Sequence, residues 1–437
     1  MANRPIWDKG ETAHEWVTRF TVGDDPYWDQ VLFPYDVAGT RAHAQGLVSA
    51  GVLTNDEGAA VGRALTAIDA AWQAGQVSIT VADEDMHTVL ERMLVDQLGD
   101  VGKKIHTGRS RNDQVLTALR LFTKEQLHSI RRQIITLARA LCDLGQRSDH
   151  LVMPGYTHQQ RAMPTTAGQW ALAYAELLTG DITWLDSALT LVDRSPLGSA
   201  AGYGVPSLTL PRTDTAAALG FSGMNLHVAS VQLERGKLES GVLHACLQTT
   251  HTLNRIASDI VMFRMSEFDF LTFPKAYGTG SSIMPQKLNP DVAELVRGSY
   301  HRVLAEFTLL ATLPSGLMSG YHRDLQLTKG ALMRGLETTQ NVLEAMNHLV
   351  PAISFNEEAM RGALTPDLLA TQLALDLVGQ GVPFREAYRQ AAETWPTLTV
   401  PDPSVIRSAY HVDGYPGRGQ ADVLRAHLDT LDTEEQA

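Results

Sequence analysis

From Asp113 to Leu144 the chain runs without a single glycine or proline. Apolar residues recur there at helical spacing: Leu116, Leu119, Phe122, Leu127, Ile130, Ile134, Leu137, Leu141 and Leu144. At 1.5 Å per residue this predicts a rod on the order of 45–50 Å long. Four more such stretches follow, at Thr165–Val192, Val231–Met265, Asp291–Leu313 and Leu327–Val350, and Pro351 closes the series. Five long helices with few strand signals predict a mostly α protein built on an elongated helical bundle. Helices of that length carry more apolar surface than one bundle hides, which points to self-association.

The flanks read differently. Residues 1–108 mix shorter helical patterns with turns: a helix over Asp36–Ala50, a capped one after Thr54, and one over Asp83–Leu98 ending near Gly99. Residues 352–437 are short helices punctuated by prolines, with an acidic tail from Asp429 that is expected to fray. The expected division is thus an N-terminal helical domain 1–108, a central bundle 109–351 and a small C-terminal helical domain 352–437. The 437 residues bear 36 Lys and Arg against 49 Asp and Glu, a net charge of −13. With no dense basic run, neither nucleic acid nor an anionic membrane is an expected partner. Two cysteines, Cys142 and Cys246, are too few for a disulfide framework or a cysteine zinc site. No apolar run approaches spanning length and the first residues carry no apolar leader, so a cytoplasmic protein is expected.

Chemistry resides in the polar breaks between the rods. Gly278–Pro290 reads G-T-G-S-S-I-M-P-Q-K-L-N-P: two glycines, adjacent hydroxyls at Ser281 and Ser282, a cation at Lys287 and an amide at Asn289. Asn289 followed by Pro290 predicts an N-cap and a first-turn proline, a helix start that favours anions. Other breaks supply Ser110, Arg111 and Asn112, then Thr157 and His158, then Tyr321, Gln326 and Lys329. Arg111 and its neighbours form a donor array suited to a carboxylate, and Asp113 is placed to cap the helix that follows. Asp85, His87 and Glu91 share a helical stretch, where a solvated face outweighs a metal site. There is no dinucleotide fingerprint, P-loop, nucleophile elbow or zincin motif. A cofactor-free acid–base enzyme acting on a small carboxylate suits this inventory.

The segment Gly280–Pro290 resembles the signature loop of the fumarase/aspartase superfamily, and its Pro285-Gln286-Lys287 centre with Asn289-Pro290 is most similar to the argininosuccinate lyase branch. Further blocks agree in order and spacing: Asp85–Thr88, His106–Gln114, Pro154–Gln159, Tyr321–Lys329 and Gly381–Arg385. The resemblance implies a three-domain, mostly α subunit assembled as a homotetramer with a 20-helix core. Each active site is then shared by three subunits. It implies reversible elimination of argininosuccinate to arginine and fumarate, the last step of arginine biosynthesis, through an aci-carboxylate and with no cofactor or metal. By the same resemblance Ser281 and His158 are the acid–base pair, with the order of proton transfer left open. Glu294 supports His158, and Lys287 and Asn289 hold the fumarate-side carboxylates beside Ser110 and Arg111. Asn112, Thr157, Tyr321, Gln326, Lys329 and His87 contact substrate.

The chain departs from the family pattern at several places. Trp7-Asp8-Lys9-Gly10 replaces the usual opening, and Asp25 stands where a family serine meets substrate, eleven positions before Asp36. The segments 200–206 and 231–239 also differ, although an arginine persists at Arg235. The altered 200–206 and 231–239 segments motivate one alternative, a related lyase acting on another succinyl compound; a silent crystallin-like structural protein is a second, against which the retained set Ser281, His158, Glu294, Lys287 and Asn289 argues.

Overall fold

The structure, a computed structural model, describes residues 14–436; the divergent opening Trp7–Gly10 lies outside them. The chain is mostly α. Contacts divide it into two compact units. The first comprises residues up to Ser129 with Leu185–Cys246 and Val303–Glu337; the second comprises Ile130–Trp184, Leu247–Arg302 and the chain from Thr338 onward.

The first unit opens with α1 (Glu15–Val22), α2 (Asp25–Ser49), α3 (Asn55–Gln73), α4 (Met86–Leu98) and α5 (Asp100–Lys103). The α3 start is a capping box: Thr54 Oγ1 accepts the Glu57 N–H at 3.2 Å and Glu57 accepts the Thr54 N–H at 2.9 Å. The α2 helix begins eleven residues before the expected Asp36, running through Pro34. It packs on α3 and α4 and buries Leu32, Phe33 and Leu47 beside the polar residues Asp29, Asp36, Thr40 and His43. Asp29 and Asp36 are two helical turns apart, so one face carries both carboxylates inward.

The five rods are α6 (Arg111–Ser148), α7 (Ala167–Val192), α10 (Lys237–Phe263), α11 (Asp291–Thr312) and α12 (Leu327–Leu349), and each contributes residues to both units. Between α7 and α10 lie the short α8 (Arg212–Ala218) and α9 (Ser230–Leu233). The stretch expected as one helix from Val231 is broken at Gly236. That glycine has φ +79°, and a Cβ there would sit 2.9 Å from Pro314 Cγ. Glu239 accepts the Gly236 N–H at 2.6 Å and so starts α10 afresh.

In the second unit the break before α7 is a hairpin that helical periodicity does not foretell. Strand β1 (Val152–Thr157) pairs antiparallel with β2 (Gln160–Thr166), Thr157 opposite Gln160. Val152 also packs with Leu364, Leu368, Leu369 and Ile406 in a small apolar cluster. The acidic tail does not fray at Asp429. A final helix runs from Ala421 to Gln436, and Asp429 and Asp432 pair with Arg139 at 2.8 and 2.9 Å. The tail's charge is matched by a partner on α6 that lies about 290 residues away in sequence.

Candidate active site

In the first unit a cavity of about 540 Å³ gathers six of the expected substrate contacts: His87, Arg111, Asn112, Tyr321, Gln326 and Lys329. The N-terminus of α6 supplies two of them. Ser110 is the N-cap there, its hydroxyl accepting the Asn112 N–H at 3.2 Å. Asp113 is therefore the third residue of the turn and not the cap. Its carboxylate reaches back to the Ser110 N–H at 2.9 Å and outward to the N–H groups of Gly198 and Ala200 at 3.0 and 2.8 Å. Burial pushes the Asp113 carboxyl up to about 6, with the three N–H groups and Arg109 pulling the other way. One buried carboxylate thus ties the 198–200 turn to the start of α6.

The Arg111 guanidinium is held by Asp85 at 2.9 Å, Glu84 at 3.3 Å and Thr88 Oγ1 at 2.9 Å. Asp85 is also the N-cap of α4, accepting the Thr88 N–H at 2.8 Å. The carboxylate–histidine pattern read from 85–91 is therefore spent on a cap and an ion pair. His87 turns instead to Asp36, Nδ1 to Oδ2 at 2.8 Å, with side chains 6% and 1% exposed. Gln114 Nε2 donates to the other Asp36 oxygen at 2.8 Å. Burial opposes both charges, but their mutual attraction wins: the Asp36 carboxyl is lowered and the His87 imidazole raised. A buried carboxylate at Nδ1 fixes the ring and leaves Nε2 to the cavity side.

The segment before α12 brings Tyr321 and Gln326, and the first turn of α12 brings Lys329. Lys329 is braced by Asp29 at 2.7 Å and Asp25 at 3.0 Å. Arg235, retained one place off the family pattern, is fully buried; it donates to the Leu325 carbonyl at 2.8 Å and lies 5.7 Å from the Tyr321 ring centroid. Asp25, Asp29 and Arg235 all line this cavity. They are absent from the sequence-derived site, although carboxylates at 25, 29 and 36 share one face of α2.

The other expected residues lie in the second unit. Thr157 and His158 stand at the tip of the β1–β2 hairpin, where His158 and Gln159 have φ of +52° and +58°. Two consecutive left-handed residues between paired strands make a primed two-residue turn, which presents the His158 side chain outward and exposed. In the signature loop Thr279 pairs with Asn289 and Gly280 with Leu288, so the segment is a small hairpin and not an open connector. Asn289 is accordingly a ladder residue and not an N-cap; α11 starts just after Pro290. Of the two glycines only Gly278 is sterically required, since a Cβ there would meet the Asn289 carbonyl oxygen at 2.6 Å, whereas Gly280 faces open space. Ser281 Oγ accepts the N–H groups of Met284 at 3.1 Å and Ile283 at 3.3 Å. Lys287 and Glu294 are exposed, Glu294 in the first turn of α11. Among the described residues no side-chain hydrogen bond joins Ser281, His158 and Glu294 to one another.

The first unit carries a charged cavity, and the second carries a serine hydroxyl that accepts from two backbone N–H groups. A family model described as Lyase matches residues 19–305. The chain is similar to an argininosuccinate lyase of Sorangium cellulosum, 44% identical over 97% of this chain and 98% of that one. It is likewise similar to an argininosuccinate lyase of Thermotoga neapolitana, 42% identical over 89% and 98%. Among solved structures it shares its fold with EDDS lyase in complex with formate, at a TM-score of 0.77 and 23% identity over 97% of this chain and 90% of that one. A class II fumarase from Schistosoma mansoni shares it at 0.74 and 15% identity, over 90% of each chain. The chain belongs to the argininosuccinate lyase family.

Proposed function

We propose that this protein cleaves argininosuccinate reversibly into arginine and fumarate, using Ser281 and His158 as its acid–base pair. The observation that carries the reading is the environment of Ser281. Abstraction of a weakly acidic C–H beside a carboxylate asks much of a serine, whose alkoxide is costly in water. Two N–H groups already point at Oγ within 3.3 Å, and they stabilise negative charge on it without reorganisation. Lys287 adds a cation on the same loop and, with Asn289, offers donors to the carboxylate whose charge rises in the aci intermediate. In this reading His158, exposed at the hairpin tip, exchanges protons with the substrate, with Glu294 as its support in the assembled enzyme. Ser110, Arg111, Asn112, Thr157, Tyr321, Gln326, Lys329 and His87 bind the remainder of the substrate.

A homotetramer accounts for an otherwise odd surface. Leu177, Trp184 and Leu191 on α7 are 52%, 49% and 54% exposed and fall at seven-residue intervals, the spacing of a helix–helix seam. Such a seam favours burial against further long helices, and assembly is the step that completes sites whose parts are scattered along rods. Among the described residues no helix is long and apolar enough to cross a membrane. A cytoplasmic location is part of the same reading.

The test is a fumarate absorbance assay with argininosuccinate, combined with light scattering. Wild type is expected to release fumarate as a tetramer, and Ser281→Ala to abolish release while the tetramer persists. Full turnover by Ser281→Ala removes the loop from the chemistry; no preference for argininosuccinate over other succinyl compounds favours the related-lyase alternative suggested by the altered 200–206 and 231–239 segments.

A further inference from the structure

The two segments that depart from the family pattern, 200–206 and 231–239, meet in the first unit. Gly202 lies so close to α9 that a Cβ there would stand 3.0 Å from Gln232 Cγ, and one on Gly204 would reach Val228 Cγ2 at 4.0 Å. The turn is closed on itself, because the Ser199 carbonyl accepts the N–H groups of both Gly202 and Gly204, at 2.9 and 3.1 Å. Its base is tied down by Asp113, which accepts the Gly198 and Ala200 N–H groups. Gly202 and Gly204, at φ +98° and +68°, flank Tyr203 and turn it out of the loop, where it is 76% exposed. The phenol nevertheless has a fixed neighbour. Its hydroxyl stands over Gly320, 3.2 Å from the place a Cβ would take. Gly320 itself is at φ +104°, a conformation that side-chain-bearing residues resist.

Gly320 belongs to the stretch 313–322, between α11 and the 3-10 turn Arg323–Gln326, which contains no helix or strand. Local contacts shape it, with the Leu317 N–H on the Pro314 carbonyl at 3.2 Å and His322 Nε2 at 3.1 Å from the Met318 carbonyl oxygen. The next residue, Tyr321, lines the cavity. Arg235, from the other altered segment, lies 5.7 Å from the centroid of that ring. The two departures thus converge on one dipeptide, Tyr203 on the Gly320 backbone and Arg235 on the Tyr321 ring. We propose that Tyr203 is a positioning residue, which holds Gly320 in place and thereby sets the Tyr321 side chain in the cavity. This rests on the function proposed above and goes beyond it: the altered 200–206 segment is a support matched to 231–239. A left-handed glycine in a stretch without ladder hydrogen bonds has many backbone conformers open to it, and a ring braced over it removes them. Small displacements of a group that meets substrate are costly, so a support at the preceding residue has a measurable effect.

The experiment compares wild type, Tyr203→Ala, Tyr321→Ala and the double variant as intact oligomers. Tyr203 is exposed, so its truncation leaves the core packing in place. Amide hydrogen exchange over residues 313–323 is expected to be about fivefold or more faster in Tyr203→Ala than in wild type, with exchange in α6 unchanged as the sign of an intact fold. In fumarate release from argininosuccinate, Tyr203→Ala should raise KM about tenfold and leave kcat within about twofold. In the Tyr321→Ala background the same change should add less than about twofold, because its effect passes through Tyr321. The proposal is overturned if exchange over 313–323 is unchanged in Tyr203→Ala, if KM is unchanged, or if the loss is as large without the Tyr321 ring as with it. No fumarate release by wild type sinks the proposed reaction, and the exchange measurement then decides alone whether Tyr203 holds the segment. Fumarate release by wild type with unchanged exchange in Tyr203→Ala sinks the role of Tyr203 alone.

Discussion

The most informative single substitution for the architecture of the cavity is Asp36→Asn. Asp36 is buried, and its two oxygens accept from His87 Nδ1 and Gln114 Nε2, both at 2.8 Å. Asparagine preserves shape and can still accept from Gln114, but it places an amide against His87 and removes the charge that holds the imidazolium. Breaking a buried pair by removing one partner costs about 3–5 kcal/mol, and the retained Gln114 bond puts this case near the lower end, about 3 kcal/mol. The pH dependence follows from the directions of the two shifts. His87 is raised, so its contribution is complete below an unfolded value of about 6.5 and disappears as the pH climbs through the folded one. Asp36 is lowered, so its contribution is complete above about 3.9 and is lost only as the pH falls through its folded value. The difference between wild type and variant should therefore be largest between about pH 4 and 6.5. It should shrink in alkaline buffer, where a hydrogen bond to neutral His87 and the attraction of Asp36 to the Arg109 guanidinium remain. Urea unfolding of both proteins at one protein concentration, from pH 5.5 to 9.5, measures it; unfolding rates serve if refolding is incomplete. A loss that is the same at all pH values, or below about 0.5 kcal/mol at pH 5.5, would show that the pair is not an ionic one.

Two further outcomes test the turns that carry the chemistry. Gln159→Gly relieves a left-handed non-glycine residue at φ +58° and should stabilise the hairpin by about 1 kcal/mol, read as a higher thermal midpoint; a lower midpoint would contradict the primed-turn geometry. Gly278→Ala forces a Cβ to within 2.6 Å of the Asn289 carbonyl and should cut turnover by about tenfold or more by displacing Ser281. Gly280→Ala meets nothing within 4 Å and should be tolerated, so equal damage from both would argue against the ladder as the cause.

Much of this molecule was written locally. The rods α7, α11 and α12 lie within two residues of their predicted ends because apolar periodicity and glycine or proline breaks are nearest-neighbour information, whereas α6 runs through Gly145 to Ser148. The Thr54 capping box was equally legible, as a side chain reaching three residues along its own helix. The residue types of the candidate site, hydroxyl, imidazole, amide and cation in the polar breaks, were likewise open to reading, and so was their likeness to one lyase family. What the sequence could not determine depended on partners distant along the chain. The acidic end is docked because Leu428 is buried and Arg139 pairs with Asp429 and Asp432, and no local rule announces those partners. The break 154–161 is a hairpin because strand pairing, not propensity, sets its conformation, and only the pairing puts His158 on a left-handed turn. Lys329 is held in ion pairs because α2 brings two carboxylates to it from some 300 residues away. Charge in a cavity is a sum over neighbours in space, so tertiary structure alone decides its sign.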